Sequence, residues 1–315
     1  MKKVIGLWMV MGVCAGVYGH ESKHNPVTVE LAPEKFDQSN LMGEIEKRSE
    51  KIGDGSEVEC WVIPIKSVPT EHAMGPWCPA STSDDKSKGG IWLKDGEVYD
   101  VDGPFVANLA KLYDDADWNL VREDGTIKVT DTEEAFMGAA RPDVDPRYEN
   151  HCVECPPEVK VSENTVYIIP ANPVMNEKAT RLSRGGIGVA FNGVNYDPPA
   201  PLHAIIGAHT IAPLDVHGGH MNPFEGYHYH AATGSTKEVA QDDVHAPMIG
   251  YIIDGFGLYA HLDKEGKEPE GLDECGGHYD EVRGYHYHAG SPGSNQIIKA
   301  FRGTPGMVMR VPDEE

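Results

Sequence analysis

Positive charge is scarce in this chain. Its 315 residues carry 27 Lys and Arg against 50 Asp and Glu, a formal net charge of −23. A surface this acidic repels nucleic acid and anionic lipid and attracts cations, so nucleic acid is not an expected partner. Long apolar runs are scarce too. Val4 to Tyr18 is the longest uncharged apolar stretch, too short for a comfortable membrane span, and no second one follows. No membrane insertion is expected. Lys2 and Lys3 before that stretch, and Val17-Tyr18-Gly19 after it, give it the layout of a signal peptide cleaved before His20. The expected location is therefore secreted or periplasmic.

Cysteine is sparse and, after removal of that segment, odd in number: Cys60, Cys78, Cys152, Cys155 and Cys275 remain. An oxidising compartment makes disulfides the default. The expected pairs are Cys60 with Cys78, and Cys275 with Cys152 or Cys155. The sequence also has no nucleophile elbow, no phosphate-binding glycine loop and no EF-hand. Asp115-Ala116-Asp117-Trp118-Asn119 lacks the glycine and the terminal acid of a calcium loop, and reads as an ordinary loop.

What the chain has in quantity is turns. Its 35 glycines and 23 prolines are spread between short apolar runs, which points to a folded β protein. Four segments flank a tight Asp-Gly or Asn-Gly pair with apolar residues, and each is expected to be a hairpin. They are Ile91–Tyr99, Leu120–Val129, Gly188–Tyr196 and Gly250–Tyr259. The Asp and Asn residues there, Asp254 included, read as turn formers. Helices are expected at Asn40–Ile52, Pro104–Tyr113 and Thr132–Ala140, the last with a capping box formed by Asp131 and Glu134. The fold class is mainly β: hairpin-rich duplicated units, sandwich-like or barrel-like, with a few peripheral helices. The expected organisation is a signal peptide over 1–19, a polar segment over 20–56, an N-terminal β unit over 57–156 and a second unit over 157–315. The N-terminal unit reads as a diverged copy. Cys60-Trp61-Val62-Ile63-Pro64 and Tyr167-Ile168-Ile169-Pro170 are each followed by Gly-Gly-Ile, a tight turn and Tyr-Asp.

The chemistry concentrates in a second, nearly literal repeat. Gly218-Gly219-His220, then Gly226-Tyr227-His228-Tyr229-His230, recurs 58 residues on as Gly276-Gly277-His278, then Gly284-Tyr285-His286-Tyr287-His288. On a strand the two histidines of each His-x-His share a face and the tyrosines take the other. The upstream Gly-Gly-His can fold back to supply a third nitrogen. Neutral imidazole is the commonest nitrogen ligand of zinc and copper, so His220, His228, His230, His278, His286 and His288 are candidate metal ligands. Each repeat can make its own three-histidine site, or the two can meet around one ion; a single shared site is the expectation preferred here. Asp215, His217, Asp273 and Glu274 are candidates to orient ligand rings. His203, His209 and His245 flank the motifs. Met221 and Met248 are possible soft ligands that would favour copper, although methionine also serves as ordinary β-core packing. All-nitrogen ligation leaves copper or zinc undecided. A mature chain beginning at His20 would offer one more copper chelate, but Glu21-Ser22-Lys23-His24 has no strand pattern to support it.

These motifs resemble the YHYH-domain family, over about residues 160 to 300. The likeness takes in both Gly-Gly-His sites, the Ile249–Gly255 hairpin between the motifs and Leu272-Asp273-Glu274-Cys275 before the second. The resemblance implies an extracellular or periplasmic protein of largely unassigned activity. Three functions compete: a metalloenzyme, a non-catalytic metal-binding or storage protein, and a metal-free structural or carbohydrate-binding module that stacks sugars on its tyrosines.

Overall fold

A computed structural model describes residues 29–312. The signal-peptide reading, with His20 and His24, lies outside them. The architecture is mainly β, in an eight-stranded, a four-stranded and a two-stranded sheet, and the larger sheets are open rather than barrels. No described helix is long and apolar enough to cross a membrane.

The four-stranded sheet runs β1 (Glu46–Lys51), β2 (Glu57–Lys66), β5 (Asn164–Pro170), β14 (Met307–Arg310). Alternation divides its side chains between two faces. Ile63, Ile65, Tyr167 and Ile169 enter the main core, while Cys60, Val62 and Ile168 form a small cluster with Ile52 on the other face. β2 and β5, the two strands whose sequences echo each other, pair antiparallel from Cys60↔Pro170 to Lys66↔Asn164. This sheet therefore draws on both halves of the chain.

Three hairpins form as expected: β3 (Ile91–Lys94) with β4 (Glu97–Asp100), β6 (Gly188–Ala190) with β7 (Asn195–Tyr196), and β10 (Met248–Ile252) with β11 (Gly257–Tyr259). The Asp124-Gly125 turn closes only a single bridge, Val121↔Ile127. The helix expected over Asn40–Ile52 is β1 instead. Its Glu46-Lys47-Arg48-Ser49-Glu50-Lys51 run has no buried residue, and pairing to β2 decides its conformation where propensity does not. Helices α1 (Gly103–Ala107), α2 (Leu109–Leu112) and α3 (Glu133–Ala139) fall where expected, but Thr132 caps α3 in place of Asp131. A short α4 (Leu202–Gly207) was not anticipated.

The eight-stranded sheet positions the histidines. It adds β8 (Gly219–Asn222), β9 (Gly226–Tyr229), β12 (Gly277–Asp280) and β13 (Gly284–His288), in the order β12-β13-β11-β10-β6-β7-β9-β8. The order is palindromic by unit: β6–β9 form one half and β10–β13 the other. Each half joins an inner hairpin to an outer one by parallel pairing, β7 with β9 and β11 with β13. At the centre β6 and β10 pair antiparallel through Gly188↔Ile252, Val189↔Tyr251 and Ala190↔Gly250. This register relates the halves by a pseudo-twofold axis through the Val189/Tyr251 pair, with residues of the inner hairpins equivalent at an offset of 62.

Cys78 and Cys152 form a disulfide, and Cys60, Cys155 and Cys275 are free thiols. Both expected pairings are thereby replaced. Cys60 is committed to the small cluster on the far face of β2, and Cys275 is buried in the turn before β12, its carbonyl bonded to Lys299 N.

Candidate metal centres

Each outer hairpin begins with a Gly-Gly turn held by an aspartate. Asp215 accepts hydrogen bonds from the backbone N–H groups of His217 and Gly219, and from the Tyr227 hydroxyl at 2.7 Å. Asp273 does the same with Cys275, Gly277 and the Tyr285 hydroxyl. The glycines follow from this geometry. Gly218 and Gly276 both sit at φ +88°, where side chains are strained. A Cβ on Gly219 would lie 2.5 Å from the Tyr227 hydroxyl, and one on Gly277 2.4 Å from that of Tyr285. The tyrosine ring lies where any larger residue would put its side chain.

The tyrosines thus face inward and anchor. Tyr229 accepts from Asn192 Nδ2, and Tyr287 donates to the buried carboxylate of Asp254 at 2.5 Å. All four rings are buried. Asp254 also accepts from Gly303 N, and burial lifts its pKa to about 6. Asp254 is therefore both a turn former and a tether between β13 and the segment before β14.

The histidines take the opposite face. In the first unit His220 stands directly across the ladder from His228, and in the second His278 stands across from His286. Two separate clusters result. Ligand-capable atoms of His220, His228 and His230 lie within 4.8 Å of one another, as do those of His278, His286, His288 and His245. The single shared site preferred from sequence does not form. β9 and β13 lie on opposite sides of the central pair, five strand spacings apart, which is roughly 24 Å across the sheet. The first cluster is a trio and the second a quartet.

Ring orientation is fixed by backbone carbonyls. His228 Nδ1 bonds Gly226 O at 2.9 Å and His230 Nδ1 bonds Pro198 O at 2.7 Å. In the second unit His286, His288, His278 and His245 bond through Nδ1 to the carbonyls of Gly284, Ala260, Glu270 and Ala246. A carbonyl only accepts, so in each of these rings Nδ1 carries the proton and the neutral ring's Nε2 keeps its lone pair. These lone-pair nitrogens converge. His228 and His230 Nε2 are 3.1 Å apart; His286 Nε2 is 3.0 Å from those of His278 and His245, and His278 to His288 is 3.3 Å. Burial disfavours the extra proton that could join two such nitrogens, and neighbouring rings add to this effect at His220, His230, His286 and His288. It pushes His220 and His288 down to about 3 and His286 to about 4, and also lowers His228, His230 and His245. Two neutral acceptors at that distance repel unless a cation lies between them. Metal–nitrogen bonds of 2.0–2.1 Å put ligand nitrogens about 2.9 Å apart at right angles and about 3.4 Å apart in a tetrahedron, and the observed spacings fall between those limits.

The surroundings of the two clusters differ. A cavity of about 490 Å³ opens onto all three histidines of the trio, walled by Asp197, Glu225 and Arg184. Asp197 Oδ2 is 4.0 Å from His228 Nε2. Burial and the adjoining Glu225 raise the Asp197 pKa well above the usual carboxylate range. The quartet lies nearer the surface, with His245 and His278 half-buried, and a cavity of about 220 Å³ reaches it at His288.

The four residues expected to orient ligand rings do other work. Asp215 and Asp273 hold the turns and tyrosines, Glu274 is an exposed partner of Arg302, and His217 stacks on His72 with ring centroids 3.6 Å apart. Carbonyls took the orienting role, which side-chain identities do not reveal. Of the flanking histidines only His245 joins one of the two histidine clusters, while His209 groups with Asp115 and Asp117 elsewhere and pairs with Asp115. The acids beside the trio, Asp197 and Glu225, were missed. Glu225 stands one residue before the Gly-Tyr-His-Tyr-His run, and the Tyr196-Asp197 echo was visible, but neither was connected with the site.

A family model described as YHYH protein matches residues 166–270. That stretch covers the first unit, the β10–β11 hairpin and His245, and stops short of β12 and β13. No curated protein and no solved structure matches the chain.

Proposed function

We propose that this chain is an exported transition-metal-binding protein with two separate centres, one per unit of the eight-stranded sheet. The observation that carries the reading is the convergence of unprotonated Nε2 atoms at 3.0–3.3 Å, in rings whose Nδ1 protons are already committed to carbonyls. His245, His278, His286 and His288 would hold one ion, and His220, His228 and His230 another; the nitrogen donors suit zinc or copper.

The two centres have different work. Four imidazoles fill a tetrahedral ion's coordination, the pattern of a structural site; three leave a position free. The trio is the centre we assign to catalysis, because a cavity opens onto all three of its histidines. A divalent ion there would supply Lewis acidity and a water of lowered pKa, chemistry suited to ester or phosphate hydrolysis. Around it this chain's own residues bind and orient: Pro198 O fixes the His230 ring, Gly226 O fixes His228, and Arg184 borders the cavity with a positive charge. The carbohydrate-stacking alternative loses its surface, since Tyr227, Tyr229, Tyr285 and Tyr287 are buried and hydrogen-bonded.

Elemental analysis of the purified chain, beside a variant with His228, His230, His286 and His288 all changed to Ala, tests this. Two equivalents of metal in the first and none in the second is the expected result. A chain free of copper, zinc, iron, nickel and manganese when isolated from its own host overturns it.

A further inference from the structure

The shared register of the two units marks where they diverged. β7 and β9 pair Tyr196↔Tyr229, and β11 and β13 pair Leu258↔Tyr287. Pro198 and Ala260 are then equivalent, and both do accept the Nδ1 proton of the last histidine of their motif. The same register sets Asp197 against Tyr259. The 58-residue offset of the outer hairpins sets Glu225 against Arg283, and Asn222 against Asp280. Asn222 and Asp280 cap their turns identically, each accepting from the backbone N–H groups two and three residues on. At the fourth-ligand position the inner-hairpin offset sets His245 against Ser183, beside Arg184 at the cavity wall.

The replacements are coordinated. In the second unit the place of Asp197 is filled by the Tyr259 ring, packed against His245 and His286 with centroids 4.8 and 4.9 Å away. Arg283, in the place of Glu225, turns away to Asp243 and Asp280. Among the described residues, the second centre gathers histidine nitrogens alone. In the first unit carboxylate oxygens lie beside the histidines as well. Ligand-capable atoms of Asp197, Glu225 and His228 lie within 4.8 Å of one another, and His228 belongs to both this group and the trio. Asp197 is buried, and its 4.0 Å separation from His228 Nε2 is too long for a hydrogen bond. It matches the ~4.1 Å between two ligands on opposite sides of one ion with bonds of about 2.0–2.1 Å.

We propose that the first centre is a histidine–carboxylate site, in which Asp197, at the position Tyr259 fills in the second unit, supplies an oxygen ligand on the His228 side of the ion and no counterpart of His245 takes part, so that one chain carries two metal sites of different selectivity. The inference rests on the metal reading given above. The second, all-nitrogen site suits zinc or copper. The first, with its oxygen ligand and room for a larger coordination number, also accepts harder ions such as Mn(II) and Fe(II). Glu225, beside Asp197, is placed to hold a water or an acidic proton at the cavity side of the same ion.

Co(II) titration of the metal-stripped full chain, followed by visible absorption, tests the assignment. The wild type should show two classes of site: one with the intense bands of a four-nitrogen tetrahedral ion, one weaker. Loss of a metal-orienting partner commonly costs 10–100-fold in affinity, so loss of a direct ligand should exceed about 100-fold. Asp197→Asn should weaken the second class by that much and leave the intense class untouched. If Asp197→Asn binds both ions as the wild type does, the assignment is overturned. A wild-type chain that binds no Co(II) overturns the metal reading itself, and this inference with it. Should Asp197→Asn fail to fold, anomalous diffraction from the zinc-loaded wild type decides. An Asp197 oxygen within about 2.2 Å of the first ion supports the assignment, and one beyond about 3 Å refutes it.

Discussion

The two halves of the eight-stranded sheet share a register, a turn, a tyrosine clasp and a pair of ladder-facing histidines, yet they end in different clusters. One half gathers three imidazoles at the floor of a cavity beside two carboxylates. The other gathers four, walled by Tyr259 and nearer the surface. The features the halves share are those that aim the rings: the Asp–Tyr–Gly-Gly clasp and the carbonyl acceptors. The features in which they differ set coordination number and charge. Duplication kept the scaffold of a metal site and changed its chemistry at Asp197/Tyr259, Glu225/Arg283 and the place of His245.

The difference can be broken most forcefully by dismantling the quartet. His286→Ala with His288→Ala should remove one of two metal equivalents. At an ion concentration ~1,000 times Kd the lost ion stabilises the fold by about 4 kcal/mol, so melting of the metal-loaded chain should fall by roughly 6–7 °C. The corresponding His228→Ala with His230→Ala should leave the quartet's ion in place, and loss of both ions there would mean the centres are not independent.

Acid should act next, and on both halves. The buried rings have pKa values depressed below the ordinary 6.5, to about 3 for His220 and His288 and about 4 for His286. The unfolded chain therefore binds more protons below pH 6.5. Stability of the metal-free chain is complete above that pH and is lost as pH falls toward 4, by up to about 1.4 kcal/mol per pH unit for each ring. Denaturant melts across pH 4–7.5 measure this, and a flat profile would mean that the rings are not buried as neutral species.

His245→Ala should make the quartet resemble the trio. The ion should stay, bound more weakly, while its Co(II) bands lose intensity as a water replaces the ring; unchanged bands would exclude His245 as a ligand. The smallest effect should come from the clasp. Tyr227→Phe and Tyr285→Phe each remove one hydroxyl bond to an aspartate, at a cost of about 1–2 kcal/mol. Tyr227→Phe should cost more, because Asp273 keeps the Arg302 guanidinium 2.8 Å away while Asp215 is fully buried. Equal losses in chemical denaturation would contradict that ranking.

Much of this was legible in the residues. Asn192-Gly193 and Asp254-Gly255 announced their hairpins, and the alternation in Tyr-His-Tyr-His announced a strand with rings on one face, because turn chemistry and strand period are local properties. The halves' separation was not legible. It follows from the β6–β10 pairing, a contact between remote segments, which sends the two motifs to opposite sides of the sheet. Asp197 and His245 reach their clusters the same way, through parallel pairing and through the segment that enters β10. The disulfide was misjudged for a similar reason: Cys60 and Cys78 are near in sequence, but β2 turns Cys60 to the face away from the core that holds Cys78. The strand β1 defied its polar, helix-like composition because β2 offered a ladder.

Native mass spectrometry of the intact chain, beside the His228→Ala/His230→Ala and His286→Ala/His288→Ala pairs, tests the central claim most directly. Two bound ions in the wild type and one in each pair variant is the predicted result. A single ion lost in both variants would mean one shared centre, and no ion in the wild type would mean that these seven imidazoles do not hold metal.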